Sequence, residues 1–331
     1  MVRLAMALAV AAAIILSAPV VQQAFAAVNS VFPSIAVAAT AVPIVVAVGV
    51  AAARIRHRRR LRWGTLAAAL AIGGAYSGAA DLSATETFHF VEYGVLSGLF
   101  YLAVRPEADG TLLILPVLAA VAVGVVDEWF QWFVPIRAGE LRDVVLDTAA
   151  SICGVLFAIA MRPPPRLTLR LERKSRSRLE ICAASTLALV AAFVSTVHIG
   201  HQVQDPEIGT FLSRYRPAQL SAFANDRGPR WRTTPPVAIR RFSREDQYLS
   251  EGLWHVQRRN QAWASGDIGA AWRENLILEK FFSPVLDTQS YASTTPPRWA
   301  PEQRADAASR PGVDRQPRAT DDYRWPVYVS R

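Results

Sequence analysis

The sequence predicts an all-α polytopic membrane protein, a bundle of about seven transmembrane helices with a C-terminal extracytoplasmic helical segment. Three observations predict it. Of 331 residues, 52% are hydrophobic and 19% charged, a balance unlike that of soluble domains. Apolar runs of about 20 residues, enough to cross a hydrocarbon core, recur as far as residue 199 and then stop. The net charge of +9 is almost all arginine, Lys174 and Lys280 being the only lysines, and it sits beside those runs. Such placement sets topology and gives no reason to expect a nucleic-acid partner.

The expected spans are roughly 4–21, 33–53, 64–80, 88–104, 111–133, 144–161 and 179–199. The first also fits a cleavable signal peptide, with Met1-Val2-Arg3 before it and Ala24-Phe25-Ala26 after it. The segment RIRHRRRLRW, 54–63, carries six arginines, and 162–178 is similarly basic. Positive loops stay in the cytoplasm. Placing both inside puts 127–143 and the whole tail on the outside of the cell. An impermeant label on a cysteine introduced at Gly139 would test this.

The organisation follows. Residues 1–63 hold the N-terminal spans and the basic loop, 64–162 a membrane core, 163–200 a second basic loop and the last span, and 201–331 the tail. In the third span, Gly74-x-x-x-Gly78 reads as a helix-packing signal. Cys153 and Cys182 fall in or beside spans and make no disulfide framework.

Ionisable residues gather at the expected outer ends. Glu86, His89 and Tyr93, at i, i+3 and i+7, share a helix face that Phe90 and Ser97 extend. Asp127 and Glu128 reach Gln131 at four and three residues, and Asp143 and Asp147 are four apart. Duller roles are available for some. Ser83-x-x-Glu86 matches a capping box, Asp143 suits the N-cap of the sixth span, and Trp129, Phe130, Trp132 and Phe133 suit an interfacial belt. Asp127 and Glu128 resist such roles, because negative charge at a helix C-terminus is disfavoured by roughly 0.3–1 kcal/mol. Arg137 is their expected partner, with Arg142 nearby.

These residues together resemble the VanZ-like family of bacterial membrane proteins. The likeness rests on Glu86, His89, Phe90 and Gly94, then Asp127, Glu128, Gln131, Pro135 and Arg137, then Asp143 and Asp147, across roughly residues 80–160. One departure shows: the family commonly has Asn and paired glycines in the last of these spans, where this chain has Asp147 and a single Gly154. The resemblance implies a setting, the outer membrane face near cell-wall chemistry, and a theme, low-level resistance to the glycopeptide teicoplanin. It implies no established reaction and no cofactor.

In the tail, proline- and arginine-rich stretches 214–241 and 294–326 flank a block at about 243–287 that reads as a helical hairpin. Ser243-x-x-Asp246 would open it, Gly266 would stop its first helix, and Asp267 would cap the second. His255 has no second ligand at metal spacing and reads as a core or surface histidine, and most of 294–326 reads as poorly ordered.

Four functions fit the polar cluster. It could bind or shield a cell-envelope ligand, a lipid-linked wall precursor or a glycopeptide-type antibiotic, with Arg137 on phosphate or carboxylate. It could be an acid/base enzyme on such a substrate, with Glu128 as base and His89 or Asp127 as acid. Glu86, His89, Asp127 and Glu128 could hold Mg or Mn. Or the bundle could simply hold the outer tail in place.

Overall fold

A computed structural model describes residues 2–31, 33–80, 82, 84–104, 109–133, 139–164, 171, 173–232, 244–289, 296–310 and 327–329. The chain divides into two compact units. The first, residues 1–132 and 137–195, is helical. The second is residues 133–136 and 196–331.

The first unit contains α1 (Val2–Val31), α2 (Pro33–Arg54), α3 (Arg59–Ala80), α4 (Ala84–Val104), α5 (Thr111–Phe133), α6 (Leu141–Met161) and α7 (Arg173–Phe193). Among the described residues, five segments are long and apolar enough to cross a membrane: Val37–Arg54, Glu86–Val104, Thr111–Phe133, Leu141–Met161 and Arg173–His198. Two of the seven expected spans are not in this set. In α1 the apolar stretch among the described residues is the shorter Val2–Ala18, and in α3 arginines at the start and the Gly-Gly-Ala-Tyr-Ser-Gly run dilute the hydropathy. Both helices nevertheless belong to the bundle. Ala7, Ala11 and Ile14 recur at helical spacing and are buried with Tyr93, Leu96 and Phe100 of α4.

The centre of this unit is the α4–α6 pair. A Cβ on Gly154 would overlap the Gly94 carbonyl and Ser97 Oγ, so the backbones approach as only glycine permits. One glycine facing Gly94 gives this closeness without a second beside it. The expected Gly74-x-x-x-Gly78 seam is not used in that way, since a Cβ on either glycine meets open space. Gly73 is the packed residue, facing Phe90 and Cys153 Sγ, and the Cys153 thiol donates to Ala69 O at 3.3 Å. Helices α3 and α4 both lie along α6.

At the other end of these helices, arginines close the C-terminus of α6. Arg62, buried, donates to Ala160 O at 2.5 Å and Met161 O at 3.3 Å, and Arg58 donates to Pro164 O at 2.5 Å. Guanidinium groups here satisfy orphan carbonyls and oppose the negative end of the helix dipole. Tyr101 adds a bond to Arg162 O at 2.7 Å.

The second unit is not purely helical. The strand β1 (Ile199–Asp205) pairs antiparallel with β2 (Gly209–Ser213) and parallel with β3 (Val327–Val329), giving the order β2-β1-β3. This sheet departs from the all-α expectation. Asp205 Oδ1 accepts from the backbone N–H groups of Glu207 and Ile208, and Gly209 at φ 91° completes the turn that the Asp-Pro-Glu-Ile-Gly stretch makes. Helices α8 (Pro217–Ala224), α9 (Arg244–Ser265), α10 (Ile268–Phe281), α11 (Ser283–Leu286) and α12 (Pro301–Ser309) follow. A Pro/Arg-rich composition thus still holds a helix and the short turn Pro229–Arg232 within 214–241, and a helix within 294–326. Ser243, residues 233–242 and residues 311–326 lie outside the described residues.

Gly266 ends α9 at φ +82°, and Asp267 caps α10 by accepting from Ala270 N at 2.9 Å. The core joins Val203 and Phe211 of the sheet to Tyr248 and Leu249 of α9 and Leu278 and Phe282 at the end of α10. His255 is fully buried there, its Nδ1 2.6 Å from Glu274 Oε2, and Arg258 donates to the other oxygen of that carboxylate.

Candidate functional site

Helix α5 carries Ala120, Gly124, Asp127, Glu128 and Gln131 on one buried face, the i, i+3, i+4, i+7 stripe of a helix turned inward. The stripe changes from apolar to polar within two turns. In a membrane, ionisable side chains on such a face need partners inside the protein, and these have them. Tyr93 donates to Asp127 Oδ2 at 3.2 Å, and Gln131 Nε2 donates to Asp127 Oδ2 at 3.1 Å and Glu128 Oε1 at 3.0 Å. Glu128 Oε2 accepts from Glu140 N at 2.8 Å.

That last bond fixes where α6 begins. Glu140 occupies the N-cap with extended backbone and Leu141 is the first helical residue. Asp143 therefore lies in the first turn and is not the cap expected of it; there its charge favours the positive end of the helix. One turn on, Asp147 is completely buried, with Oδ1 2.8 Å from His89 Nδ1. The His89 ring lies parallel to that of Tyr93, centroids 6.0 Å apart. Asp147 Oδ2 and Ser151 Oγ are buried and meet no hydrogen-bond partner among the described residues.

Gly124 makes room for this carboxyl group. A Cβ at position 124 would stand 2.7 Å from Asp147 Oδ2 and 3.4 Å from a Tyr93 ring carbon. Gly139 plays a similar part behind Glu128, where a Cβ would be 2.5 Å from the Glu128 carbonyl oxygen. A cysteine at Gly139 would therefore disturb the site it was meant to report on.

The exposed rim consists of Glu86, His89 and Arg142. Arg142 bridges Glu86 Oε1 at 3.1 Å and Ala80 O at 3.1 Å, and it is half exposed. His89 is 16% exposed over a fully buried Asp147. The structure thus joins Glu86 to Arg142, His89 to Asp147, and Tyr93, Asp127, Gln131 and Glu128 to one another. Arg137, Pro135 and Ser83 lie outside the described residues. Arg142 pairs with Glu86 Oε1, and the capping box expected of Ser83 and Glu86 lies outside the described residues.

No three or more His, Cys, Asp or Glu side chains among the described residues converge as a metal site. The quartet Glu86, His89, Asp127 and Glu128 is divided, its first two members engaged by Arg142 and Asp147. The sequence reading also missed Gly124 and Ser151. Both lie one helical turn from residues it chose, Gly124 from Asp127 and Ser151 from Asp147, and that spacing was the available signal.

Chemically, the arrangement is a part-exposed imidazole oriented by a buried carboxylate through Nδ1. Behind it, among the described residues, a phenol, an amide and a backbone N–H donate to the acids. Residues 7–162 match the model of the VanZ/LLP1 family, which extends the likeness beyond the polar motifs, from within α1 to the end of α6. No curated protein and no solved structure matches the chain.

Proposed function

Because the chain is a VanZ-like membrane protein over residues 7–162, we propose that its polar cluster binds the head of a cell-envelope amphiphile at the Glu86–His89–Arg142 rim. The observation that carries this reading is the His89–Asp147 pair. A fully buried carboxylate holds one imidazole nitrogen at 2.8 Å in a side chain that is 16% exposed, so the rim has an oriented imidazole on the same helix face as Glu86, which pairs with Arg142. The head group is that of a lipid-linked wall precursor or a glycopeptide-type antibiotic, and its apolar part stays in the bilayer. The rim and the tail both lie on the outer side of a bacterial cytoplasmic membrane in this reading.

Native mass spectrometry of the protein in detergent, wild type against a His89→Ala, Arg142→Ala double variant, tests it. A lipid adduct on the wild type that the variant loses supports binding at the rim; identical adducts on both refute it. A parallel teicoplanin susceptibility assay of cells expressing each form tests the antibiotic branch, with protection expected from the wild type alone. Orientation is tested with Ser265→Cys, an exposed position at the end of α9, in a background lacking Cys153 and Cys182. Labelling by an impermeant maleimide in intact cells is expected.

The same pair favours a second reading, an acid/base enzyme in which His89 is the proton acceptor and Asp147 its orienting partner. Glu128, fully buried and bonded to Gln131 and Glu140 N, is poorly placed for the role of base. Conversion of the bound lipid during incubation, abolished by His89→Ala, would select this reading over simple binding.

A further inference from the structure

We propose that the second unit carries a separate binding site, a cleft between α9 and the 296–303 segment that takes a small monocarboxylate with an aliphatic body. The cleft has a volume of about 480 Å³, and Arg259, Asn260, Trp263, Trp299 and Gln303 supply its polar and aromatic walls. Small-ligand pockets span roughly 300–1,000 Å³.

Arg259 is the reason for an anion. Its side chain is 2% exposed, yet every acceptor it reaches is neutral: Asn260 Oδ1 at 3.1 and 3.2 Å, Asn275 Oδ1 at 3.1 Å and Pro297 O at 2.6 Å. Its flat face lies 4.8 Å from the Trp299 ring. Among the described residues no carboxylate forms an ion pair with it. The carboxylate that acts on it electrostatically, Glu279, is taken by Arg304 through two bonds of 2.6 and 2.8 Å and by Asn275 Nδ2. Burial pulls the guanidinium pKa down to about 10, so it stays charged at neutral pH. A buried charge normally has a counter-charge, and here it borders an open cleft instead.

The rest of the wall fits an anion with an apolar body. Asn260 spends its oxygen on Arg259, which leaves its NH₂ as a donor. Arg298 already pairs bidentately with Asp287, so the cleft has one unneutralised positive charge, matched to a monoanion rather than to a phosphate dianion. Leu253, Val256, Pro296 and Pro297 supply the apolar lining.

The test titrates full-length protein in detergent at pH 7 with propionate, propionamide and inorganic phosphate, read by tryptophan fluorescence because Trp263 and Trp299 line the cleft. A saturable response to propionate alone is expected. Asn260→Asp would place a carboxylate beside Arg259, and it is expected to weaken propionate by at least about tenfold while the melting temperature holds. Arg259→Gln should act likewise if it folds. No saturable response, an equal response to propionamide, saturation by phosphate alone, or an unchanged Asn260→Asp affinity would each overturn the assignment and leave Arg259 as a brace between α9 and Pro297.

Discussion

The two units surround their buried acids differently. In the second unit, four of the buried or partly buried acids have an arginine or lysine: Glu274 has Arg258, Glu279 has Arg304, Asp205 has Lys280, and Asp246 has Arg230. In the membrane unit, among the described residues, Glu86 at the rim meets Arg142 and Asp147 meets an imidazole, while a phenol, a carboxamide and a backbone amide bond to Asp127 and Glu128. The difference agrees with the apolar spans being confined to the first unit among the described residues. A water-facing domain can recruit long arginines whose stems pack over its surface, whereas a span crossing hydrocarbon offers few such positions, and short neutral donors on the neighbouring helix cost less to place. A water-facing unit can therefore neutralise its acids residue by residue, and a membrane unit must do so by bringing helices very close together.

The sharpest way to break this contrast is to remove one acid from the ion-paired side. Glu274→Ala leaves His255 and Arg258 facing a void, and a loss of about 3–5 kcal/mol in the second unit is expected, read by chemical denaturation with tryptophan fluorescence. A variant within 1 kcal/mol of wild type, a threshold set at roughly the worth of a surface pair, would show that the pairs are ornamental. The same group sets an acid limit. Burial alone would raise its pKa, but His255 and Arg258 outweigh that and hold the carboxyl below its ordinary value of 4.5. A depressed carboxyl contributes stability that is fully present above about pH 4.5 and is lost as pH falls through the lower folded value. Wild type should therefore lose stability below about pH 4.5 more steeply than Glu274→Ala.

On the other side the corresponding lever is closeness. Gly154→Val would push the α4 and α6 backbones apart at Gly94, and a loss of about 3 kcal/mol is expected from overpacking alone, measured as earlier unfolding in a detergent series. A tolerated valine would mean that the two helices are held by something other than contact. Asp147→Ala is milder, leaving His89 Nδ1 without its acceptor at a cost of about 1–3 kcal/mol. If Asp147→Asn restores stability and does not restore lipid binding, the charge serves the ligand and the hydrogen bond serves the fold. Smallest of all, Asp267→Ala should cost about 1 kcal/mol through the lost cap on α10 and leave the membrane unit's unfolding untouched.

Much of the membrane site was legible because it is written at helical spacing. The i, i+3, i+7 run of Glu86, His89 and Tyr93 and the neighbouring Asp127, Glu128 and Gln131 needed only 3.6 residues per turn to be placed on common faces. Which face meets which was not legible. Nothing local tells that His89 finds Asp147, 58 residues away, or that Gly124 is empty on Asp147's account. The sheet was missed for another reason. Val203 stands between two glutamines, Phe211 is followed by the buried Leu212, and the strands have only seven and five residues, too short and irregular to stand out between a span and a proline-rich stretch. Arg259 and Trp299 stand forty positions apart in sequence, and no periodicity joins them.

Arg62 carries a last consequence. It is one of the six arginines whose charge would hold the 54–63 loop on its side of the membrane, and it is also the clasp on the last carbonyls of α6, 98 residues along the chain. Insertion and assembly therefore draw on the same guanidinium. An attempt to invert the protein by exchanging these arginines for acids would also unfasten the helix that carries Asp147, so an inverted molecule would arrive already damaged. Only a charge swap that spares Arg62 can ask about orientation by itself.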